Sequence, residues 1–158
     1  MKNIKYLKEI DLNLLKTFIL NEKRDYTLFE KLGWGYKNIE NHFNKNNNFS
    51  IGYFLNNNLC ALLIGEKLIN NDKYDLEIHI MFVKKKKRKK NIGSSLLSFI
   101  EREKKLNNIS QIYLEVEENN TDAIKFYEKN NFVFFKIRHS YYNYNKEKTN
   151  AKCYFKKL

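Results

Sequence analysis

One stretch of the chain has the residue types and the spacing to hold an anion. The apolar segment ending at Phe82-Val83 is followed by a basic run and then by Arg88-Lys89-Lys90-Asn91-Ile92-Gly93, where a helical pattern begins. A strand that turns into a helix in this way brings backbone N–H groups and a helix N-terminus beside cationic side chains. The context predicts a phosphate-binding loop, although the charge run taken alone favours a solvated basic loop.

The elements around this loop are predicted from apolar spacing and from turn residues. The chain has no proline and only five glycines, so we expect clusters of Asn, Asp and Lys to form the turns. Helical or alternating spacing of apolar residues then separates helices from strands. In chain order we expect a strand over 1–8, a helix opened by Asp11, a loop and short helix over 27–48, strands over 49–55, 59–68 and 74–83, a helix of four turns from Ile92 to Leu106, a strand over 111–116, a helix from Asn120 to about Asn130, and strands over 132–139 and 151–155. This order predicts one α/β layer fold.

Length and composition limit the class of protein. The 158 residues are 42% hydrophobic, with 12 Phe and 11 Tyr, so we expect one domain over residues 1–158 with a full core. No apolar run reaches the ~18 residues that cross a bilayer, and we expect neither a membrane association nor secretion. Cys60 and Cys153 form neither a CxxC pair nor a disulfide framework, which favours a reducing, cytoplasmic location. We expect no metal site, because the cysteines and the three histidines lack metal-ligand spacing.

The net charge of +12 does not by itself predict a nucleic-acid site. Of the 30 basic residues 26 are Lys, and the chain has 24 Asn, a skew that resembles coding bias. A nucleic-acid groove would favour Arg, which makes bidentate contacts. We therefore expect no dedicated nucleic-acid site. The positive net charge is still consistent with attraction to an anionic ligand or to a ribonucleoprotein.

The residues 88–93 resemble motif A of the GNAT N-acetyltransferase superfamily, whose signature is Q/R-x-x-G-x-G/A between a strand and a helix. Asn91 stands in place of the first Gly, and Asn is the residue after Gly that best tolerates left-handed backbone angles. Further along, Tyr113-Leu114-Glu115-Val116 and Asn120-x-x-Ala123-Ile124-x-x-Tyr127-Glu128 are similar to the family's motif B. Arg138-x-x-Tyr141-Tyr142 resembles an element typical of protein N-terminal acetyltransferases, and within the family the ribosomal-protein-alanine N-acetyltransferases are the most similar group.

The resemblance implies a single-domain GNAT fold, with a mixed, mostly antiparallel sheet of about seven strands and about four helices. It also implies acetyl-coenzyme A as the co-substrate, its pyrophosphate bound by the loop amides, and the backbone N–H of Val83 or a neighbour as the oxyanion donor. The implied cofactor-binding residues are Phe82, Val83, Arg88, Lys89, Lys90, Asn91, Ile92, Gly93, Ser94 and Asn120. Asn120 is in addition a plausible helix N-cap.

Acetyl transfer from a thioester to an amine needs a neutral amine, a stabilised oxyanion and a proton for the departing thiolate. The resemblance gives Glu115 the role of base, directly or through a water, and Tyr127 the role of acid. The alternatives are an exposed strand glutamate and a buried aromatic residue. A protein α-amine has a pKa near 7.7–8.0 and is partly neutral at pH 7, whereas a lysine near 10.4 is much harder to deprotonate.

For the second substrate, the resemblance implies a slot with Trp34 on one wall and Tyr141 and Tyr142, after Arg138, on the other. Core packing is an equally good interpretation of Trp34. We expect a monomeric acyltransferase that acetylates a protein N-terminal α-amine, with a ribosomal protein beginning with alanine as the substrate. The alternatives are a GNAT enzyme acting on lysine side chains or small amines, and a non-catalytic ribosome- or RNA-binding module on the same fold.

Overall fold

The computed structural model describes residues 2–20, 30, 33–144 and 147–158. In these ranges the α-helices are α1 (Leu12–Leu20), α2 (Tyr36–Phe43), α3 (Ile92–Glu103) and α4 (Thr121–Lys129). The strands are β1 (Lys2–Tyr6), β2 (Asn48–Leu55), β3 (Asn58–Asn70), β4 (Lys73–Val83), β5 (Ile109–Glu117), β6 (Val133–Tyr144) and β7 (Glu147–Lys157). Positions 27–29 and 31–32 of the predicted loop and short helix lie outside the described residues. None of the helices described has the length and apolar character needed to cross a membrane.

The strands form a seven-stranded sheet in the order β1-β2-β3-β4-β5-β7-β6. β4 and β5 run parallel, while β1 with β2, β5 with β7 and β6 with β7 are antiparallel. The predicted fold class, a mixed and mostly antiparallel sheet of about seven strands with about four helices, is confirmed.

The predicted helix from Ile92 to Leu106 is too long. α3 ends at Glu103, and Leu106 is 80% exposed. The Ile109 N–H donates to the Lys104 carbonyl at 2.9 Å, and Asn108 has a φ of 51°. A left-handed residue followed by such a bond reverses the chain after a helix. The last two strands, in contrast, are longer than predicted, because their polar ends pair as a hairpin that apolar alternation does not reveal.

Asn makes the tight turns, as predicted from the shortage of glycine and proline. Eight non-glycine residues in the described ranges have a positive φ, and six of them are Asn: Asn56, Asn57, Asn71, Asn91, Asn108 and Asn131. The Asn side chain tolerates left-handed angles because it can hydrogen-bond locally. The remaining two, Lys89 and Ser140, lie in segments that matter for the candidate site.

The chain divides into two compact units, which are described separately. Unit 1 comprises Met1–Gly65 and Ile80–Leu96. Its core packs the apolar faces of α1 and α2 with side chains of β2, β3 and the end of β4, and Trp34 packs partly buried against this core. The prediction of one domain over residues 1–158 stays a prediction.

Unit 2 comprises Glu66–His79 and Leu97–Leu158. The buried carboxylate of Asp75 stabilises the parallel pairing of β4 with β5. This carboxylate accepts hydrogen bonds from Asn70, Ser110 and Gln111 at 2.8, 3.0 and 3.1 Å. A buried carboxylate needs such partners, and here two of them, Ser110 and Gln111, belong to β5, the strand on which Glu115 lies.

Candidate active site

The predicted anion loop lies in unit 1, after β4. The Lys84 N–H donates to the Cys60 carbonyl at 3.0 Å, and Lys85–Lys87 form one 3₁₀ turn. Arg88 turns back on its own strand: its Nε donates to the Val83 carbonyl at 2.9 Å, and its guanidinium lies 5.5 Å from the centre of the Phe82 ring. Phe82, Val83 and Arg88 therefore form one contact group.

Two left-handed residues shape the loop before α3. Lys89 has a φ of 57° and Asn91 a φ of 59°. The prediction that Asn91 provides the left-handed turn of the family's glycine is therefore correct. The Asn91 carbonyl accepts from both the N–H and the hydroxyl of Ser95, at 3.0 Å each, so Asn91 also begins the hydrogen-bonding of the helix.

The residues of this loop fit a phosphate group. Because the first helical bond is made by the amide of Ser95, the amides of Ile92, Gly93 and Ser94 precede it and have no acceptor one turn back in the helix. These amides and the helix dipole favour an anion at this end of α3. Lys89 and Lys90 are exposed and add positive charge. The loop therefore fits an anion, and its predicted role in binding the cofactor stays a prediction.

Asn120 is the N-cap of α4 in unit 2. Its side-chain Oδ1 accepts a hydrogen bond from the Ala123 N–H at 3.2 Å, and Asp122 lies in the first turn of the helix. The predicted capping role is confirmed. The predicted contact of Asn120 with the cofactor stays a prediction.

Tyr127 lies inside unit 2, two turns into α4. Its side chain is 9% exposed and packs edge-on against Phe126 and Phe132, with ring centres 5.2 and 5.5 Å away. Burial raises the pKa of the Tyr127 phenol well above its ordinary value, and none of the described residues accepts a hydrogen bond from this phenol. The phenol therefore keeps its proton throughout the neutral and mildly alkaline range.

Glu115 is held in an ion pair and is not a free surface glutamate. Its side chain is 18% exposed, and Oε1 lies 2.5 Å from Arg138 Nη1. β7 separates β5 from β6 in the sheet, and Cys153 on β7 pairs with Glu115. Arg138 therefore reaches across β7, a span of about two strand spacings of 4.8 Å. The small thiol of Cys153 leaves room for this reach, and its Sγ lies 3.8 Å from Glu115 Oε1.

Tyr141 completes this group, which we call the Glu115 cluster (Glu115, Arg138 and Tyr141). Tyr141 joins the group through Arg138. Its ring centre lies 4.0 Å from the Arg138 guanidinium. Partial burial first, and then the nearby Glu115 carboxylate, raise the pKa of Tyr141 to about 12. Tyr142 packs edge-on against Tyr141 with ring centres 5.0 Å apart.

The structure therefore brings together three predicted residues that the sequence assigned to different roles. Glu115 was predicted as a catalytic base, whereas Arg138 and Tyr141 were predicted to bind substrate. The predicted residue Trp34 belongs to the other unit, where its ring lies 5.4 Å from that of His42, edge to face. Its half-buried position favours the packing interpretation, and a contact with substrate stays a prediction.

A second group around the β6–β7 hairpin was not predicted from the sequence. Asn150 hydrogen-bonds Glu118 at the end of β5 and also the backbone of Ser140 in β6. These are ordinary polar residues in a polar segment, and only the positive φ of Ser140 distinguishes them. A left-handed serine cannot be recognised from its type, so sequence analysis had no signal for this group.

The comparison with protein-family models decides the family. The model of the acetyltransferase (GNAT) family matches residues 14–132, well over half of the chain. The chain belongs to this family. A search of curated proteins finds no significant match.

Solved structures of other GNAT acetyltransferases share the fold at low sequence identity. The ribosomal-protein-S18-alanine N-acetyltransferase from Escherichia coli matches 100% of this chain and 94% of its own, with a TM-score of 0.77 and 19% identity. An N-acetyltransferase from Staphylococcus aureus matches 99% and 97%, with a TM-score of 0.74 and 20% identity. Arabidopsis thaliana NAA60 in complex with acetyl-CoA matches 100% and 99%, with a TM-score of 0.75 and 13% identity. NAA60 has also been crystallised with a bisubstrate analogue.

Proposed function

We propose that this GNAT acetyltransferase transfers the acetyl group of acetyl-coenzyme A to the α-amine of a protein N-terminus in the cytoplasm, with a ribosomal protein beginning with alanine as the substrate. The observation that carries the proposal is the Glu115 cluster. In it the base candidate Glu115 pairs with Arg138, and Arg138 contacts the ring of Tyr141 from the same Arg138-x-x-Tyr141-Tyr142 element. The similarity to the alanine N-acetyltransferase adds support at the level of the fold.

Acetyl-coenzyme A fits the loop before α3. The amides of Ile92, Gly93 and Ser94 would hold its pyrophosphate, and Lys89 and Lys90 would neutralise phosphate charge. The Asn91 side chain is exposed, and the left-handed turn at this position aims the following amides along the helix axis. When bound, acetyl-coenzyme A supplies an acetyl group activated as a thioester.

Glu115 and Tyr127 carry the two proton transfers of this proposal. Glu115 takes a proton from the substrate ammonium, directly or through one water, and the guanidinium of Arg138 keeps its carboxylate oriented. Tyr127 donates a proton to the departing sulfur. Burial raises the pKa of this phenol, so it holds its proton over the whole working pH range.

The difference in pKa between an α-amine and a lysine amine predicts which of the two is acetylated. An α-amine with a pKa near 8 is about a tenth neutral at pH 7, so the base removes a proton that is only weakly held. A lysine amine with a pKa near 10.4 costs about 3 kcal/mol more to deprotonate, at 1.36 kcal/mol per pKa unit. Tyr141 and Tyr142 would contact the backbone of the first residues and favour a small first side chain.

Two peptides at equal concentration test this proposal. One begins with Ala or Ser and has no lysine, and the other has a blocked α-amine and an internal lysine. We expect acetylation of the first and little of the second, measured by mass spectrometry. Equal rates on both peptides would replace the N-terminal assignment with the lysine-directed one. Mapping acetylated N-termini in a cell extract then identifies the protein substrate.

A binding assay separates the enzyme from a non-catalytic module on the same fold. A ligand that binds only the folded state raises the melting temperature as its concentration rises. We expect acetyl-coenzyme A to do so, and dephospho-coenzyme A, which lacks one phosphate, to do so less. No shift at millimolar acetyl-coenzyme A would favour the ribosome- or RNA-binding alternative.

A further inference from the structure

Arg138 and Tyr141 of the Glu115 cluster come from positions of β6 that a regular strand would separate. They are three residues apart, and side chains three apart in a strand point to opposite faces of the sheet. Arg138 nevertheless contacts Glu115 while its guanidinium also lies 4.0 Å from the centre of the Tyr141 ring. A local irregularity must therefore turn Tyr141 to the side of Arg138.

The irregularity is a bulge in β6. From position 138 to position 142 β6 advances four residues, while its partner β7 advances only two, from 151 to 149. Inside this segment Ser140 has a φ of 52°. Such a left-handed conformation costs a non-glycine residue about 1–2 kcal/mol, and bulges of this kind redirect side chains next to functional sites. The bulge at 139–141 needs a compensating contact.

Asn150 on β7 makes that contact. Its Oδ1 accepts a hydrogen bond from the Ser140 N–H at 3.0 Å. On the other side, its backbone N and its Nδ2 donate to the two carboxylate oxygens of Glu118 at 3.3 and 3.1 Å. Glu118 follows β5 three residues after Glu115. Asn150 therefore connects the bulge to the strand that carries Glu115.

We propose that Asn150 is a positioning residue of the amine site: it fixes the bulge at 139–141, and the bulge places the Tyr141 ring against the Arg138 guanidinium that pairs with Glu115. Arg138 precedes the bulge and pairs regularly with Ala151, so its contact with Glu115 does not depend on Asn150. The kinetic part of this proposal rests on the proposed function, whereas the placement of Tyr141 does not.

The ionisation of Tyr141 reports its placement without any substrate. The charged and titratable groups that face its phenol are Glu115 on β5, Arg138 on β6 and Glu77 on β4, and none of them is altered in the test. With a pKa of about 12, Tyr141 is about a tenth ionised at pH 11. We expect Asn150→Ala to lower this pKa toward the ordinary value near 10, which makes Tyr141 about nine-tenths ionised at pH 11. The ¹³Cζ NMR signal of labelled tyrosine measures this, and Tyr141→Phe assigns the signal.

Substitutions that exchange the hydrogen-bond donor and acceptor between positions 118 and 150 distinguish a positioning role of Asn150 from a general loss of structure. Asn150→Asp still offers an acceptor to the Ser140 N–H, but it places a second negative charge against Glu118. The double substitution Glu118→Gln with Asn150→Asp lets the amide at 118 donate to the new carboxylate at 150, so the same link forms with donor and acceptor exchanged. We expect the single variant Asn150→Asp to release Tyr141 and the double variant to restore its high pKa.

In kinetics, Asn150→Ala should raise KM for the N-terminal peptide about 10-fold and leave KM for acetyl-coenzyme A unchanged. The matched control is Thr149→Val, which removes the neighbouring bond from Thr149 Oγ1 to Glu117 at 3.0 Å and should change neither readout. The proposal is overturned if Tyr141 titrates in Asn150→Ala as in the wild type, or if the double variant is no closer to wild type than Asn150→Asp. If the peptide is not a substrate at all, the proposed function fails, and the titration still decides the role of Asn150.

Discussion

The substitution Tyr127→Phe removes one oxygen atom from unit 2 and keeps the aromatic ring. The rings of Phe126 and Phe132 pack edge-on against that ring, which phenylalanine retains. None of the described residues accepts a hydrogen bond from that hydroxyl. If Tyr127 is the acid of the proposed mechanism, the substitution should lower activity without lowering stability.

The magnitudes follow from burial and from acid catalysis. Tyr127 is 9% exposed, and its hydroxyl is not a fully buried group left without a partner. Its removal therefore relieves little desolvation cost, and the free energy of unfolding of Tyr127→Phe should stay within about 1 kcal/mol of the wild-type value. Loss of a general acid typically lowers kcat by ~10²-fold, which corresponds to about 2.7 kcal/mol of transition-state stabilisation.

Tyr154→Phe is the matched control. Tyr154 is also buried in unit 2, but its hydroxyl donates to the carboxylate of Glu128 at 3.1 Å. Because a hydrogen bond to a charged group is worth about 1.5–3 kcal/mol, this variant should lose stability and keep its kcat. Urea unfolding gives the two free energies, and steady-state rates on an N-terminal peptide give the two kcat values.

Two results would refute the reasoning on Tyr127. A wild-type kcat in Tyr127→Phe would exclude the acid role. A loss of both stability and activity, in parallel with each other, would show that the hydroxyl has a structural partner. The pH profile adds a check: because burial raises the pKa of Tyr127, the wild-type kcat should show no decline from its ionisation up to about pH 10.

Further predictions concern the loop, the base, the core of unit 2 and alkaline stability. Asn91→Gly should bind acetyl-coenzyme A more tightly and Asn91→Ala about fivefold more weakly, since a left-handed alanine costs about 1 kcal/mol; equal affinities by calorimetry would exclude a role for this turn. Glu115→Gln should lower kcat by ~10²-fold at pH 7, a loss that shrinks toward pH 9 as the α-amine becomes neutral; a constant ratio would argue against the base role. Asp75→Ala should lower the free energy of unfolding by about 3 kcal/mol, because the buried carboxylate and its hydrogen bonds to three donors are lost; the exposed Asp72→Ala is the control in urea unfolding. Burial and the bond to Glu128 raise the pKa of Tyr154 to about 12, so its stabilising contribution is present below pH 10 and lost as the pH rises from 10 to 12. Tyr154→Phe should flatten that decline in a pH series of unfolding curves.

Much of the architecture was predictable because it depends on local properties of the chain. The apolar period separates helix from strand, and six Asn residues occupy left-handed turns in the absence of glycine. The loop at Asn91 was predictable for the same reason, since its conformation depends on one residue type that tolerates a positive φ. The cap at Asn120 was predictable because the contact with Ala123 lies within one helical turn.

The sequence by itself therefore determined the elements, their order and the residue types of an acetyltransferase. Only the tertiary structure decided how those residues meet. Glu115 and Arg138 are 23 positions apart and lie on strands that are not neighbours, so their ion pair exists because β7 inserts between them with a small residue, Cys153, at the crossing. Tyr141 joins them because a bulge at 139–141 interrupts the alternation of β6, and Asn150 from another strand hydrogen-bonds that bulge. Strand order and register depend on the packing of the whole sheet, which no local pattern contains.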